Sequence, residues 1–336
     1  MQDLLPRPRR QLSGNVLCTP IWRPKDLGFA TAGSALAPFY YYGVMETLIS
    51  SKILNQKTAP VGGLSGGAVV SLAVCGGVAP TLMQNASALA ISQCLTSWNK
   101  TTQSIPCQGE LTTLVVSLTQ IVFPLNSTKF QKKCAGRIRI AMTKLNASDA
   151  TMSSLSPYVR TKFVGTELYD AVAATAMIPC MSTCKPYTLF KGIPVVDGGF
   201  SATFKELCPP NVKRCITTQE YYPGKYVKAG GGECLKNGND PVASGGEYEC
   251  TMSVPSGFKF APRGNLLTSC PTGSKYFQPP GFSDLYPGMH KENPLPYTCS
   301  EWQNFSYFPQ DDSFQTQFDA GKKDAFIWGQ NEGLIP

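Results

Sequence analysis

The chain of 336 residues contains a single histidine, His290. Histidine is the usual general base for a nucleophilic serine or cysteine, and it is a frequent zinc ligand. A Ser-His-Asp triad could therefore use only His290, and a Cys-His protease or a histidine-based zinc centre is disfavoured. Cysteine-only zinc is disfavoured too, because Cys180 and Cys184 have no matching pair at finger spacing. We expect no metal and no organic cofactor.

Long apolar segments are also missing from the sequence. No stretch of eighteen uninterrupted apolar residues occurs, and the first fifteen residues lack the apolar core of a secretory signal. These absences predict no transmembrane span. Zinc-finger, RNP and helix-turn-helix signatures are absent, and the basic residues behind the net charge of +8 are scattered, which argues against a nucleic-acid partner.

Cysteines and glycosylation acceptors, by contrast, are frequent. Six of the 13 cysteines have spacings typical of a disulfide-stapled, loop-rich segment: Cys208, Cys215, Cys234, Cys250, Cys270 and Cys299. N-x-S/T acceptors occur at Asn85, Asn99, Asn126, Asn146 and Asn304. Both features favour a glycoprotein in a secretory or lumenal compartment. The lack of a recognisable secretory signal in the first fifteen residues argues against such a compartment. The sequence therefore leaves the compartment open.

Strand and helix patterns alternate along the first two thirds of the chain. Short apolar runs predict strands, at 27–33, 59–64 and 137–142. A hairpin is predicted over 187–199, with its turn at Lys191 and Gly192. Amphipathic and small-residue patterns between these strands predict helices. Such alternation favours an α/β fold with a mainly parallel sheet that is covered on both faces.

The chain divides into three parts by its composition. Residues 1–25 form a Pro/Arg-rich tail, and residues 26–204 carry the alternating pattern of the expected catalytic domain. In residues 205–336, Pro, Gly, Cys and aromatics are concentrated in short pieces without a long helical period. We expect this last part to be an irregular, Cys-rich extension packed on or beside the catalytic domain.

The sequence GLSGG at residues 63–67 matches the G-x-S-x-G pattern of a nucleophilic serine, here Ser65. A predicted strand precedes it and a predicted helix follows, which is the context that gives the pattern meaning. The tight turn requires small residues two positions before and after the serine. It also directs the helix N-terminus, including the N–H of Gly66, at the reaction site. The alternative is a glycine-rich turn with a buried serine.

Asp197 is the candidate base. It ends the apolar strand IPVVD and is followed at once by two glycines, which places it at the carboxyl edge of the sheet where α/β enzymes keep their sites. Partial burial raises the basicity of a carboxylate, which could then take the serine proton directly. Because no imidazolium protonates a departing amine, such a pair suits esters better than amides. The alternative is an ordinary Asp-Gly-Gly turn.

Three segments in this order resemble the patatin-like phospholipase family, especially its neutral-lipid-lipase branch: residues 30–48, 63–67 and 167–201. The most specific piece is the phrase Ala-Thr-x-x-Ile-Pro before a hairpin that ends in Asp-Gly-Gly. The resemblance spans about residues 26–204. It implies a three-layer α/β/α sandwich and a serine esterase that cleaves phospholipid, galactolipid or acylglycerol at a membrane or lipid-droplet surface.

The same resemblance assigns the site residues. It implies Ser65 as the nucleophile and Asp197 as the acid and base. Its glycine-rich oxyanion loop corresponds to Gly33, Ser34 and Ala35, whose backbone N–H groups would hold the tetrahedral oxyanion. We call residues 33–35 the candidate oxyanion loop.

The candidate oxyanion loop departs from the glycine-rich pattern of that family. Where the family has a glycine with positive φ, Ala35 would be strained. The loss of one oxyanion donor lowers the rate by about 10² to 10³. The rival hypothesis is therefore an attenuated or inactive protein of the same fold that binds lipid or has a structural role.

Two aromatic groups also have alternative roles. The tyrosines at 40–42 could line an acyl tunnel, but more often form the packed face of a helix. Aromatic residues of the extension, including Phe305, Tyr307 and Phe308, could cap an acyl pocket or dock at a lipid surface. The favoured alternative is a small disulfide-stapled subdomain.

Overall fold

The structure is a computed structural model that describes residues 22–98, 106–125, 128–145, 155–164, 166–179, 181–183, 185, 187–220, 283–297, 301–302 and 305–336. It confirms the predicted α/β class, with a mixed, mostly parallel sheet. The strands are β1 (Leu27–Thr31), β2 (Val61–Gly63), β3 (Ile138–Lys144), β4 (Ser156–Arg160), β5 (Thr188–Phe190), β6 (Ile193–Asp197) and β7 (Arg214–Thr218).

The helices alternate with these strands over much of the chain. They are α1 (Phe39–Ser50), α2 (Gly66–Gly76), α3 (Pro80–Ser97), α4 (Leu111–Val122), α5 (Lys129–Lys133), α6 (Glu167–Thr175), α7 (Phe204–Leu207) and α8 (Ser313–Asn331). The expectation of a last third without a long helix is wrong, since α8 has 19 residues. Buried side chains recur along α8 at Phe314, Phe318, Ala325 and Trp328, which is the spacing of one helix face.

The parallel part of the sheet has the order β7-β1-β2-β3. Both β4 and β6 run antiparallel to β3, and β5 pairs with β6 as a hairpin. Lys191 and Gly192 form the hairpin turn with φ angles of 52° and 76°. Two successive positive φ angles are what a type I′ turn requires, so the predicted hairpin and its turn are confirmed.

Strands β2 and β6 lie on the same side of β3 and point toward each other. Ile140 pairs with both Gly63 and Arg160, so β2 and β4 are on opposite sides of β3. Met142 pairs with β4 and with Asp197, so β6 is on the side of β2. Because β2 is parallel to β3 and β6 is antiparallel, their carboxyl ends meet along one edge of β3.

Glycines allow two helices to approach β2 closely. A Cβ atom added to Gly62 would lie 2.0 Å from the Leu207 carbonyl oxygen at the end of α7. One added to Gly63 would lie 2.5 Å from the Gly67 carbonyl oxygen in α2. Since consecutive strand residues point to opposite faces, α7 and α2 contact β2 from opposite faces.

Helix α1 is buried along most of its length, and α8 packs directly on it. The tyrosines at 40–42 are completely buried, as a packed helix face requires. The Tyr40 hydroxyl donates to a carboxylate oxygen of Asp324 on α8 at 3.1 Å. The helix backbones almost touch, because a Cβ atom added to Gly43 would lie 1.9 Å from the Phe318 carbonyl oxygen.

Three disulfides join described residues: Cys75–Cys134, Cys94–Cys107 and Cys208–Cys215. The last pair confirms disulfide bonding in the predicted Cys-rich part. The other four cysteines singled out in the last third lie outside the described residues. Of the five glycosylation acceptors, only Asn85 is described, and it is exposed on α3.

Residues on both sides of position 204 belong to one sheet, because β7 pairs with β1 along its whole length. The division of the chain at this position stays a prediction. Within the described part of the chain, no helix combines the length and the apolar character needed to cross a bilayer.

Candidate active site

Ser65 occupies a sharp turn between β2 and α2. Its backbone has φ 51° and ψ −136°, a conformation that residues other than glycine rarely adopt. The neighbouring glycines are needed for space: a Cβ atom added to Gly67 would lie 2.0 Å from the Ala32 carbonyl oxygen. Strain of this kind at a strand-to-helix turn is typical of a nucleophilic serine.

Thr175 holds the serine turn in place. Its hydroxyl accepts the backbone N–H of Ser65 at 2.9 Å and donates to the carbonyl oxygen of Ala141 in β3. This threonine belongs to the Ala-Thr-x-x-Ile-Pro phrase noted in the sequence. The phrase also supplies the Met177 carbonyl, which accepts the backbone N–H of Asp197 at 2.9 Å. One short segment therefore fixes both candidate residues, a role that sequence reasoning did not assign.

Asp197 lies at the end of β6 and is completely buried. Its Oδ1 accepts the backbone N–H of Gly199 at 2.8 Å, whereas Oδ2 has no aligned hydrogen-bond partner among the described residues. Burial raises the pKa of Asp197 to about 7, although hydrogen bonding to Gly199 and to the Ser65 hydroxyl lowers it. The Ser65 hydroxyl is thus close enough to influence the carboxylate, but no aligned bond joins the two side chains.

The structure brings the candidate oxyanion loop against Ser65. A Cβ atom added to Gly33 would lie 3.2 Å from the Ser65 Cβ, and one added to Gly66 would lie 2.2 Å from the Ser34 hydroxyl. Among the described residues, no acceptor is found for the backbone N–H groups of Gly33, Ser34, Ala35 or Gly66. Within the described part of the chain, these donors are therefore available to an oxyanion next to the serine.

The φ angle of Ala35 is 44°, so this residue has the strained conformation that the sequence predicted. An alanine in this region costs about 1 to 2 kcal/mol relative to its preferred conformations. The loop nevertheless keeps its shape, so the surrounding contacts must compensate for this cost.

An apolar cluster continues from the candidate oxyanion loop. Its buried members include Ala35, Leu36, Ile91, Leu111, Ile178 and Met181. The cluster gives an acyl chain a chemically suitable environment beside the candidate nucleophile. Tyr307 belongs to the same cluster, so at least one aromatic residue of the C-terminal part reaches the site.

Both candidate residues are largely buried. Ser65 is 4% exposed and Asp197 is 0% exposed. A separate groove of about 390 Å³ lies on α3, lined by Leu89, Ser92, Gln93, Thr96 and Ser97.

Glu220 is a buried carboxyl group that sequence reasoning missed. It follows β7 by two residues, at the same carboxyl edge of the parallel strands as Ser65. The rule that pointed to Asp197, an acidic residue directly after a strand at this edge, could have found it. Burial raises the pKa of Glu220 well above its usual range, and a hydrogen bond to Ser306 partly offsets this shift.

The other candidates from the sequence do not join this arrangement. His290 is half-buried and forms a backbone bridge with Asn293, whose side chain donates to Asp324 on α8. Cys180 and Cys184 lie outside the described residues. Within the described ranges, no three His, Cys, Asp or Glu side chains are grouped as metal ligands.

No protein-family model matches the chain, and no curated protein matches its sequence significantly. Function is therefore inferred from the geometry around Ser65 and Asp197. The arrangement contains a serine in a strained turn, a buried carboxylate with a pKa near neutrality, and N–H donors beside the serine that have no acceptor among the described residues.

Proposed function

We propose that this protein is a serine hydrolase of the patatin-like phospholipase type, which cleaves carboxylic esters of glycerolipids. The observation that carries the proposal is the meeting of Ser65 and Asp197 at the carboxyl ends of β2 and β6. The ends of these two strands converge along β3, and the Ser65 hydroxyl lowers the pKa of the buried Asp197 carboxylate. The three-layer α/β/α sandwich is part of this proposal.

In the proposed reaction, the Ser65 Oγ attacks the ester carbonyl and Asp197 accepts the hydroxyl proton. The oxygen of the tetrahedral intermediate binds the free N–H groups of the candidate oxyanion loop and of Gly66. Asp197 then returns the proton to the leaving alcohol, and water hydrolyses the acyl-enzyme by the same steps. A base whose pKa is about 7 is well matched to neutral pH.

The apolar cluster beside the candidate oxyanion loop supports an acyl ester as substrate. Its aliphatic and aromatic side chains can surround a fatty acyl chain, while the ester carbonyl faces the N–H donors. The dyad has no imidazolium to protonate a departing amine, and the alcohol of an ester is a better leaving group than the amine of an amide. We therefore assign esters rather than amides.

A catalytically attenuated lipid-binding protein of the same fold is the second candidate. Two observations favour it: the positive φ of Ala35 in the candidate oxyanion loop and the small exposed fraction of Ser65, which is 4%. Either one would slow catalysis without preventing an acyl chain from binding the apolar cluster.

Fatty-acid release from phosphatidylcholine, galactolipid and triacylglycerol dispersions separates the two candidates. We expect release from at least one of them by the wild-type protein. Ser65→Ala should abolish release, and Asp197→Asn should lower it by about 10² to 10⁴. His290→Ala should retain activity. Binding of these lipids without release would favour the attenuated protein, and loss of activity in His290→Ala would replace Asp197 with a histidine base.

A further inference from the structure

Two hydrogen bonds hold the candidate oxyanion loop. The Tyr41 hydroxyl on α1 donates to the Gly33 carbonyl at 2.9 Å. The backbone N–H of Leu36, directly after the loop, donates to the Ser306 carbonyl at 3.1 Å. These two bonds lie on either side of the strained residue Ala35.

Both bonds lead to Glu220. Burial raises the pKa of Tyr41, whereas the Glu220 backbone lowers it, so this backbone lies near the Tyr41 hydroxyl. The Glu220 Oε1 accepts the Ser306 hydroxyl at 3.5 Å. The Glu220 carbonyl is itself fixed, because it accepts the Trp302 indole N–H at 3.0 Å.

The surroundings of Glu220 are buried and contain hydroxyl groups. Glu220 is 1% exposed, and its second oxygen, Oε2, has no hydrogen-bond partner among the described residues. The phenols of Tyr41, Tyr42 and Tyr307 lie close enough to feel its charge. Tyr307 also feels the charge of Asp197, so it lies within electrostatic reach of both buried carboxyl groups.

A buried carboxyl group without a compensating cation is costly to the fold. Support of the strained candidate oxyanion loop explains why the interior contains such a group. Strained backbone persists only where surrounding contacts over-determine it. Here the residues that restrain Ala35 come from α1 and from the C-terminal part of the chain.

We propose that Glu220 is a positioning residue, whose side chain acts through Ser306 to hold the candidate oxyanion loop. The loop takes the strained form that directs its N–H groups at Ser65 only while these contacts are present. This inference rests on the proposed esterase function for its catalytic meaning. It also assigns part of the site to residues beyond position 204.

Four variants test this role. Glu220→Ala removes the acceptor of the Ser306 hydroxyl, whereas Glu220→Gln keeps an uncharged acceptor of nearly the same shape. Asp324→Ala is the matched control, because it also removes a buried carboxyl group, but one that contacts Tyr40 and Asn293 instead of the loop supports. Ser306→Ala is a milder second variant should Glu220→Ala fold poorly.

The first readout is hydrogen exchange of the Leu36 amide, measured relative to amides of α2. In Glu220→Ala we expect exchange to accelerate about tenfold or more, as for loss of a buried hydrogen bond. Ser306→Ala should act in the same direction with a smaller effect. Glu220→Gln should stay within about threefold of the wild type, as should Asp324→Ala.

The second readout is the rate at which a fluorophosphonate probe labels Ser65. Glu220→Ala should slow labelling about tenfold or more, and Glu220→Gln should recover most of the rate. Unchanged Leu36 exchange in both Glu220→Ala and Ser306→Ala would overturn the proposal. Leu36 exchange as fast in Glu220→Gln as in Glu220→Ala would overturn it too. Absence of wild-type labelling would count against the esterase function alone, because the exchange measurement does not depend on activity.

Discussion

At the residue scale, the Thr175 hydroxyl joins three parts of the candidate site. It accepts the Ser65 N–H, donates to the Ala141 carbonyl of β3, and lies at the carboxyl end of α6. The sequence phrase that contains Thr175 pointed to a family resemblance without a physical reason for this residue. The reason is that the buried Ser65 N–H and the buried Ala141 carbonyl both form their hydrogen bonds with the hydroxyl group of this residue.

We therefore predict that Thr175→Val destabilises the protein and slows ester hydrolysis. Valine has nearly the same shape but leaves the Ser65 N–H and the Ala141 carbonyl unpaired in the interior, at a cost of about 1 to 3 kcal/mol. Chemical denaturation and fatty-acid release measure the two effects. Thr175→Ser is the matched control and should behave almost as the wild type. Equal stability and activity in the valine and serine variants would contradict this role.

Ala35 gives a second prediction at this scale. Because its φ is 44°, Ala35→Gly should relieve strain and raise the free energy of unfolding by up to about 1 kcal/mol. Ala37 has no such positive φ, so Ala37→Gly should lower that free energy by about 0.5 to 1 kcal/mol. Thermal denaturation of both variants checks the contrast. If both glycines destabilise equally, the strain assigned to Ala35 is absent.

At the scale of elements, the meeting of β2 and β6 produces the candidate dyad. The sequence indicated each strand and placed Ser65 and Asp197 at their carboxyl ends. It did not indicate β4, nor that β2 and β6 share one side of β3. Strand pairing depends on contacts between distant segments, which periodicity within one segment does not record.

Helix α8 was missed for a related reason. Its apolar face is interrupted by Gly321 and Gly329, and it follows a stretch rich in proline and glycine. These glycines weaken the helix in isolation, but tertiary packing compensates. Gly321 is necessary because a Cβ atom there would lie 2.1 Å from the Tyr40 carbonyl oxygen on α1.

We predict that Gly321→Ala separates α8 from α1. The added methyl group meets backbone, which cannot rotate away, so overpacking should cost about 1 to 3 kcal/mol. Gly329→Ala is the control, since its added Cβ would meet the Ile335 side chain, which can move. Limited proteolysis should cut α8 of the first variant faster and leave the second close to the wild type. Equal resistance of the two variants would show that the helices can separate slightly at no cost.

At the scale of the whole molecule, buried carboxyl groups make stability depend on pH. The pKa of Asp197 and that of Asp324 are each raised from 3.8 to about 7, mainly because burial disfavours the charged form. Between these values the folded protein keeps protons that the unfolded chain releases. This contribution to stability is therefore complete below pH 4 and is lost as the pH rises toward 7 and above.

Asp324→Asn tests this linkage without altering the candidate dyad. Asparagine is neutral at every pH, so the variant should lose less stability than the wild type between pH 5 and pH 8. Each pKa unit that is removed corresponds to about 1.4 kcal/mol. Melting temperatures across this range measure the difference. Parallel curves for the two proteins would show that Asp324 titrates normally.

The extent of the site could not have been predicted from the first two thirds of the sequence alone. Ser65 and Asp197 follow from motifs, because tight turns and strand ends demand particular residues, whereas the candidate oxyanion loop follows only from the family resemblance. Glu220 and Ser306 come from a part of the chain predicted to be an extension, and they reach the loop only because β7 joins the sheet beside β1. Contacts of this kind depend on topology.

The central claim is that Asp197 activates Ser65 as a nucleophile. The most direct measurement is the rate of fluorophosphonate adduct formation as a function of pH, with the modified residue identified by peptide mass mapping. We predict an adduct on Ser65 alone, whose rate of formation rises with pH to a plateau with a midpoint near 7, where Asp197 loses its proton. The rate should be much lower in Asp197→Asn. No adduct on Ser65, or an adduct that forms equally fast in that variant, would contradict the claim.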